Sequence, residues 1–197
     1  MELGSLADRE PTLVANPARK AAVLVPLVEE DSASHIVFIR RSDTLEEHPG
    51  QMGFPGGRYE PRDGDRRETA VRESNEEIGL RAAEIAQIGR LDDVETVSGY
   101  TVSPFVARVP DRAYRPTDEE VADVVSLPLE AFTTPENHAY EGRMHPEYGT
   151  VPCHHFIVNG YTVWGATARM LVQLLTLGTE WTVPDPPDRP LGDRISD

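Results

Sequence analysis

Apolar residues fall in short blocks separated by polar turns. Ala21 to Val28 is a nearly continuous apolar run, the pattern of a buried strand. Glu29-Glu30-Asp31-Ser32 turns the chain, and His35-Ile36-Val37-Phe38-Ile39 predicts a second strand, closed by Arg40-Arg41-Ser42. After a loop over residues 43–55 the period changes. Residues 66–78 contain neither Gly nor Pro and predict a helix, with Gly79 placed as its C-terminal cap. Ile85 to Leu91 and Tyr100 to Val109 predict further strands, and Pro104 points to an edge or a bulge in the second. Glu119 to Leu127 predicts another, followed by Pro128 and a helical turn near 129–132. Residues 133–150, rich in Pro, Gly and His, predict a loop. His154–Val158 and Tyr161–Trp164 flank Asn159-Gly160, a hairpin signal. A helix is expected over 165–177, with Ala166, Met170, Leu171, Leu174 and Leu175 on one side. Residues 1–19 predict a loosely held arm, 20–180 one domain, and 181–197 an irregular, Pro-rich acidic tail. Strands outnumber helices without regular alternation, which gives an α+β class: a mixed sheet between helices.

The bulk properties narrow the function. A chain of 197 residues suits one domain with a proper core. It holds no 18-residue apolar run and no basic-then-apolar start, so neither a membrane span nor a secretory signal is expected. The single Cys153 excludes an internal disulfide, and the cytoplasm is the expected compartment. His48, His154 and His155 lack the second regular spacing of a zinc site. Net charge is −15, from 34 acidic against 19 basic residues, and Lys20 is the sole lysine. Such a chain repels nucleic-acid backbone and anionic lipid, so neither is an expected partner.

The chemistry concentrates on the helix over 66–78. Glu73, Glu76 and Glu77 stand at i, i+3 and i+4, so their carboxylates share one face. Three like charges that close repel one another by roughly 0.2–0.5 kcal/mol per pair on an isolated helix, so something positive is expected among them. Hard divalent cations take oxygen ligands, and Mg²⁺ is typically shared between carboxylates and substrate phosphates. Gly56 and Gly57 just upstream let backbone approach the same ion or phosphate. Without that context the three glutamates read simply as a solvated acidic face.

Gly57, then Arg72-Glu73-Ser74-Asn75-Glu76-Glu77-Ile78-Gly79-Leu80, resembles the box of the Nudix hydrolases: Gly, five residues, Glu, seven residues, Arg-Glu-aliphatic-x-Glu-Glu-x-Gly-aliphatic. Two positions depart. The interval from Gly57 is one residue longer, so that Asp63 takes the first acidic position, and Ser74 replaces the aliphatic residue. The resemblance implies an α/β/α sandwich, Mg²⁺ or Mn²⁺ as cofactor, and hydrolysis of a phosphoanhydride. It implies Glu73, Glu76, Glu77 and Gly57 as metal-binding positions, Glu73 as the base, and Arg72 as the residue that orients the carboxylates. A further carboxylate from later in the chain is implied; Glu119 and Glu120 are the candidates, with Glu120, beside Val121, the better match.

The segment before the box resembles the coenzyme A pyrophosphatase branch: Leu-Leu-Thr-x-Arg-Ser/Ala, three residues, Arg, three residues, Gly, three residues, Phe-Pro-Gly-Gly. Arg41, Ser42, Gly50 and Phe54 to Gly57 fit in register, whereas Val37-Phe38-Ile39 replaces the first triplet and Glu46 reverses the middle Arg. Tyr100 to Pro104, Glu120-Val121, Pro128-Leu129 and Trp164 to Arg169 extend the likeness. A coenzyme A-like nucleotide is the implied substrate, with Arg41, Ser42, Gly56, Gly57 and Arg58 implied to bind it. Arg40, Arg62, Arg66 and Arg67 are further cations of the same region. Other nucleoside diphosphate derivatives, such as ADP-ribose or a dinucleotide, and a non-catalytic binding module stay open as alternatives. The resemblance also allows a homodimer.

Overall fold

The computed structural model describes residues 4–145 and 149–184. In chain order these form α1 (Gly4–Ala7), β1 (Arg19–Glu30), β2 (Ala33–Arg41), β3 (Met52–Gly53), β4 (Gly56–Arg58) and α2 (Arg66–Ile78). There follow β5 (Ala86–Arg90), β6 (Val94–Glu95), β7 (Tyr100–Arg108), β8 (Val121–Pro128) and α3 (Leu129–Thr133). Last come β9 (His138–His145), β10 (Gly149–Val158), β11 (Tyr161–Trp164) and α4 (Gly165–Gly178).

β1 is the axis of an eight-stranded mixed sheet, antiparallel to β2 and β4 and parallel to β7. Its alternate residues feed two cores, as a strand covered on both faces requires. Ala21, Val25 and Leu27 face the core under α1, α3 and α4, together with Ile36, Phe38 and Val106. Ala22, Leu24 and Val28 face the core under α2, with Val37, Ile39 and Phe105. The sheet between helices is the α+β sandwich that the hydrophobic pattern predicts. Asp31 and Ser32 both have positive φ, 48° and 69°, which closes the two-residue β1–β2 hairpin. Asn159 and Gly160 do the same between β10 and β11.

Three expectations change. Residues 133–150 contain a strand: β9 pairs antiparallel with β10, and a second, three-stranded sheet results. Its backbone pairing overrides the turn-prone composition. Pro104 lies in neither an edge nor a bulge. β7 is interior, between β1 and β5, but the Pro104 carbonyl accepts from Leu91 N at 3.1 Å where β5 has ended and β6 not begun. The donor that proline lacks thus faces a gap in the ladder, where nothing needs it.

The N-terminal arm is not loosely held. Leu6 is fully buried. Arg9 clasps both oxygens of Asp92, at 2.6 and 2.8 Å, and the amides of Thr12 and Val14 donate to Asp92 and Asp93. Leu6→Ala is expected to cost about 3 kcal/mol, the usual penalty for a buried leucine cavity, read from urea unfolding. An unchanged midpoint would contradict this docking. At the other end, Trp181 packs edge-on against His138, centroids 5.5 Å apart, and residues 185–197 of the predicted tail lie outside the described residues. Among the described residues no helix is long and apolar enough to cross a membrane.

Candidate active site

Local chemistry sets the limits of α2. Asp65 caps its start by accepting from Glu68 N at 2.8 Å, and Gly79 ends it in the left-handed region at φ 64°. Thr117 holds the last turn from outside, with Thr117 Oγ1 donating to Glu76 O and Thr117 N to Glu77 O. The helix lies under β1 and β4, so the carboxylates of one face meet the Gly56-Gly57 backbone.

That meeting is close. Gly56 N donates to Glu77 Oε2 at 2.8 Å. A Cβ on Gly57 would stand 2.5 Å from Glu73 Oε1, so any side chain there would displace the carboxylate. At Gly56, φ is 151° and a Cβ would fall 2.3 Å from Ala22 O; only glycine fits. The two glycines let two carboxylates press against bare backbone.

Glu77 is nearly buried, and its pKa is pushed up to about 8. Burial is the main cause, opposed by the Gly56 amide and reinforced by the charges of Glu73 and Glu120, while Arg41 pulls the other way. Glu73 is also raised, first by burial, with Arg72 opposing. Glu76 points differently. Its side chain is exposed and pairs with Arg62 at 3.3 Å and Arg72 at 2.9 Å, so the three glutamates share a helix face but not one point.

Arg72 is the hub. It donates from Nε and Nη2 to Asp63, from Nη1 to Glu76, and from Nη2 to the carbonyl of Arg58, and Nη1 also stands 2.9 Å from Glu73. Asp63 is buried and held well below the usual carboxylate range, chiefly by the Arg72 hydrogen bonds. It also accepts from Thr69 Oγ1 and Glu60 N. Asp63, noted in the sequence only as the displaced acidic position, is the residue that fixes Arg72. The Thr117 clamp left no mark in the sequence pattern.

Arg41 and Glu120 arrive from another direction. β2 and β8 pair Arg41 with Val121, and Ser42 N donates to Glu120 O at 2.7 Å, which sets both beside Glu77. The Arg41 Nε is buried without a hydrogen-bond partner. Ser42 turns its hydroxyl to Thr44 at 2.8 Å, and Arg58 is exposed, 3.2 Å from Glu47.

Among the described residues no three acidic, His or Cys side chains converge tightly enough to hold an ion as they stand. Arg72 supplies the positive charge between Glu73 and Glu76. The donor set nonetheless fits a hard divalent cation. It offers carboxylate oxygens and backbone, with Glu73 and Glu120 close enough to Glu77 to raise its proton affinity.

The NUDIX domain model matches residues 18–148. The uncharacterised Nudix hydrolase NudL of Yersinia enterocolitica is 32% identical over 179 residues, covering 86% of each chain. That of Yersinia pestis is 35% identical over 162 residues, covering 79% of this chain and 78% of the relative. A MutT/nudix family protein from Enterococcus faecalis shares the fold at a TM-score of 0.53 and 14% identity, covering 84% of this chain and 61% of that one. The family as a whole works with divalent cations such as Mg²⁺ or Mn²⁺. With its carboxylate helix seated on Gly56-Gly57, the chain belongs to the Nudix family and is a hydrolase of phosphoanhydride bonds.

Proposed function

We propose that the enzyme hydrolyses the pyrophosphate of coenzyme A or an acyl-coenzyme A, with Mg²⁺ or Mn²⁺, to 3′,5′-ADP and (acyl-)4′-phosphopantetheine. The observation that carries this reading is the β2–β8 register, which sets Arg41-Ser42 of the upstream segment beside Glu120 and Glu77. A buried guanidinium Nε without a partner, next to carboxylates, suits a phosphate oxygen.

Glu73, Glu77 and Glu120, with the Gly57 backbone, would hold the cation. When bound, it neutralises charge on the transferring phosphoryl group and acidifies water. Arg41 holds a phosphate oxygen and orients the anhydride. Glu73 accepts the proton of the attacking water; the water oxygen bonds one phosphorus and the bridging oxygen leaves with the other. Arg72 keeps Glu73 and Glu76 in place from the far side. A groove of about 530 Å³ along loop 48–52 and β11, lined by His48, Gln51, Met52, Tyr161 and Trp164, suits the uncharged pantetheine half. Glu46, the reversed charge of the signature, is exposed on loop 43–50, where it meets solvent.

The test is a panel of coenzyme A, ADP-ribose, NADH and a diadenosine polyphosphate with Mg²⁺ or Mn²⁺. Preferred release of 3′,5′-ADP from coenzyme A is expected. Preferred turnover of another member would discard this substrate and keep the enzyme.

A further inference from the structure

In a chain of net charge −15, the sole lysine and two arginines converge on one cleft. The cleft, about 350 Å³, is formed where the starts of β1 and β7 meet the end of β4, and is lined by Arg19, Lys20, Arg58, Tyr59 and Tyr100. Its walls are aromatic as well as cationic. The Arg19 guanidinium lies 3.8 Å over the Tyr100 ring and donates to the Tyr100 hydroxyl at 2.6 Å, and to Ser98 O at 2.8 Å. Arg58 lies 5.4 Å from the same ring. Lys20 Nζ stands 5.5 Å from the Tyr59 ring, its only partner among the described residues.

The cleft adjoins the carboxylate site through the backbone. Arg58 follows Gly57, its carbonyl accepts from Arg72, and β4 pairs it with Ala21 beside Lys20. Gly57 and Arg58 are consecutive in β4, so the cleft begins one residue from the carboxylate site.

We propose that this cleft is the subsite for the phosphorylated nucleoside end of the substrate: Lys20 and Arg58 take a phosphate monoester on the ribose, and the Tyr100 ring, covered by Arg19, forms the wall beside it. The assignment rests on the coenzyme A reading and deepens it. The pyrophosphate alone is met by the cation and Arg41, whereas a second, distal phosphate needs its own cations, and three meet here against the charge of the whole chain. Loop 43–50, which carries Glu46 where the signature has arginine, is thereby relieved of that duty. Arg19 is a positioning residue; its bonds to Tyr100 and Ser98 O hold the ring.

The experiment compares coenzyme A with dephospho-coenzyme A, which lacks only the ribose phosphate, on the wild-type enzyme and on Lys20→Ala and Arg58→Ala. The wild type is expected to prefer coenzyme A at least tenfold in kcat/KM. Each variant is expected to lose most of that preference through KM rather than kcat. A preference that survives both substitutions, or its absence in the wild type, would overturn the assignment. If coenzyme A is not turned over at all, the coenzyme A reading falls, and calorimetric binding of 3′,5′-ADP against 5′-AMP judges the cleft separately. Tighter binding of 3′,5′-ADP that Lys20→Ala abolishes would uphold the subsite; equal binding of the two would remove it.

Discussion

Glu77→Gln is expected to lower turnover by at least about 100-fold and, at the same time, to stabilise the metal-free protein. On the proposed function Glu77 is one charged ligand of a cation that supplies several kcal/mol of transition-state stabilisation, and the substitution removes it. The gain follows from burial. Glu77 titrates at about 8 in the fold against 4.5 for an unperturbed glutamate, so folding takes up a proton between those values. Its contribution is fully present below about pH 4.5 and is lost as pH rises through about 8. At pH 7 the ionised unfolded state is therefore favoured by on the order of 3 kcal/mol, which glutamine does not suffer. The glutamine oxygen still accepts the Gly56 amide. Thermal unfolding with chelator should place the variant above the wild type at pH 7, with the gap narrowing toward pH 5. Addition of Mn²⁺ should raise the wild type more than the variant. A variant less stable than the wild type in chelator would contradict the burial argument.

Arg72→Ala is expected to cost about 3–5 kcal/mol of stability and at least tenfold in activity. Asp63, almost solvent-free, would keep its charge and lose its bidentate partner, the costly way to break a buried pair. Glu73 and Glu76 would lose the nitrogen between them. Arg72→Lys should rescue little, because one ammonium cannot face Asp63, Glu76 and the Arg58 carbonyl together. The pair also predicts acid sensitivity. The folded pKa of Asp63 is depressed, so its stabilisation is present above about pH 3.8 and is lost as pH falls below that. In Asp63→Asn/Arg72→Ala the losses should be less than additive, as measured by urea unfolding. An Arg72→Ala protein as stable as the wild type would contradict the pairing.

Features governed by neighbouring residues were legible in the sequence. α2 begins at an aspartate cap and ends at a left-handed glycine, and its predicted limits, 66–78, are those found. β1 and β2 are apolar at consecutive positions because both faces are covered. The two-residue hairpins follow from Asn159-Gly160 and, less obviously, from Asp31-Ser32. What was not legible depends on distant partners. Leu6 sits in a polar segment without periodicity, and its burial is secured by Asp92 and Asp93, some 80 residues away. β9 owes its pairing to β10 rather than to its own composition. The three glutamates share a helix face by spacing alone. Only the opposing backbone at Gly56-Gly57 and the pull of Arg62 separate inward Glu73 and Glu77 from outward Glu76. Lys20, Tyr59 and Tyr100 meet through sheet register that no local pattern encodes.

The most direct measurement is Mn²⁺ binding followed by electron paramagnetic resonance, on the wild type, Glu73→Gln and Glu77→Gln, with Lys20→Ala as a control outside the carboxylate set. The expected result is saturable binding by the wild type and by Lys20→Ala, weakened at least tenfold in both glutamine variants. Equal Mn²⁺ affinity in all four proteins would place the cation elsewhere and remove the carboxylate helix from the chemistry.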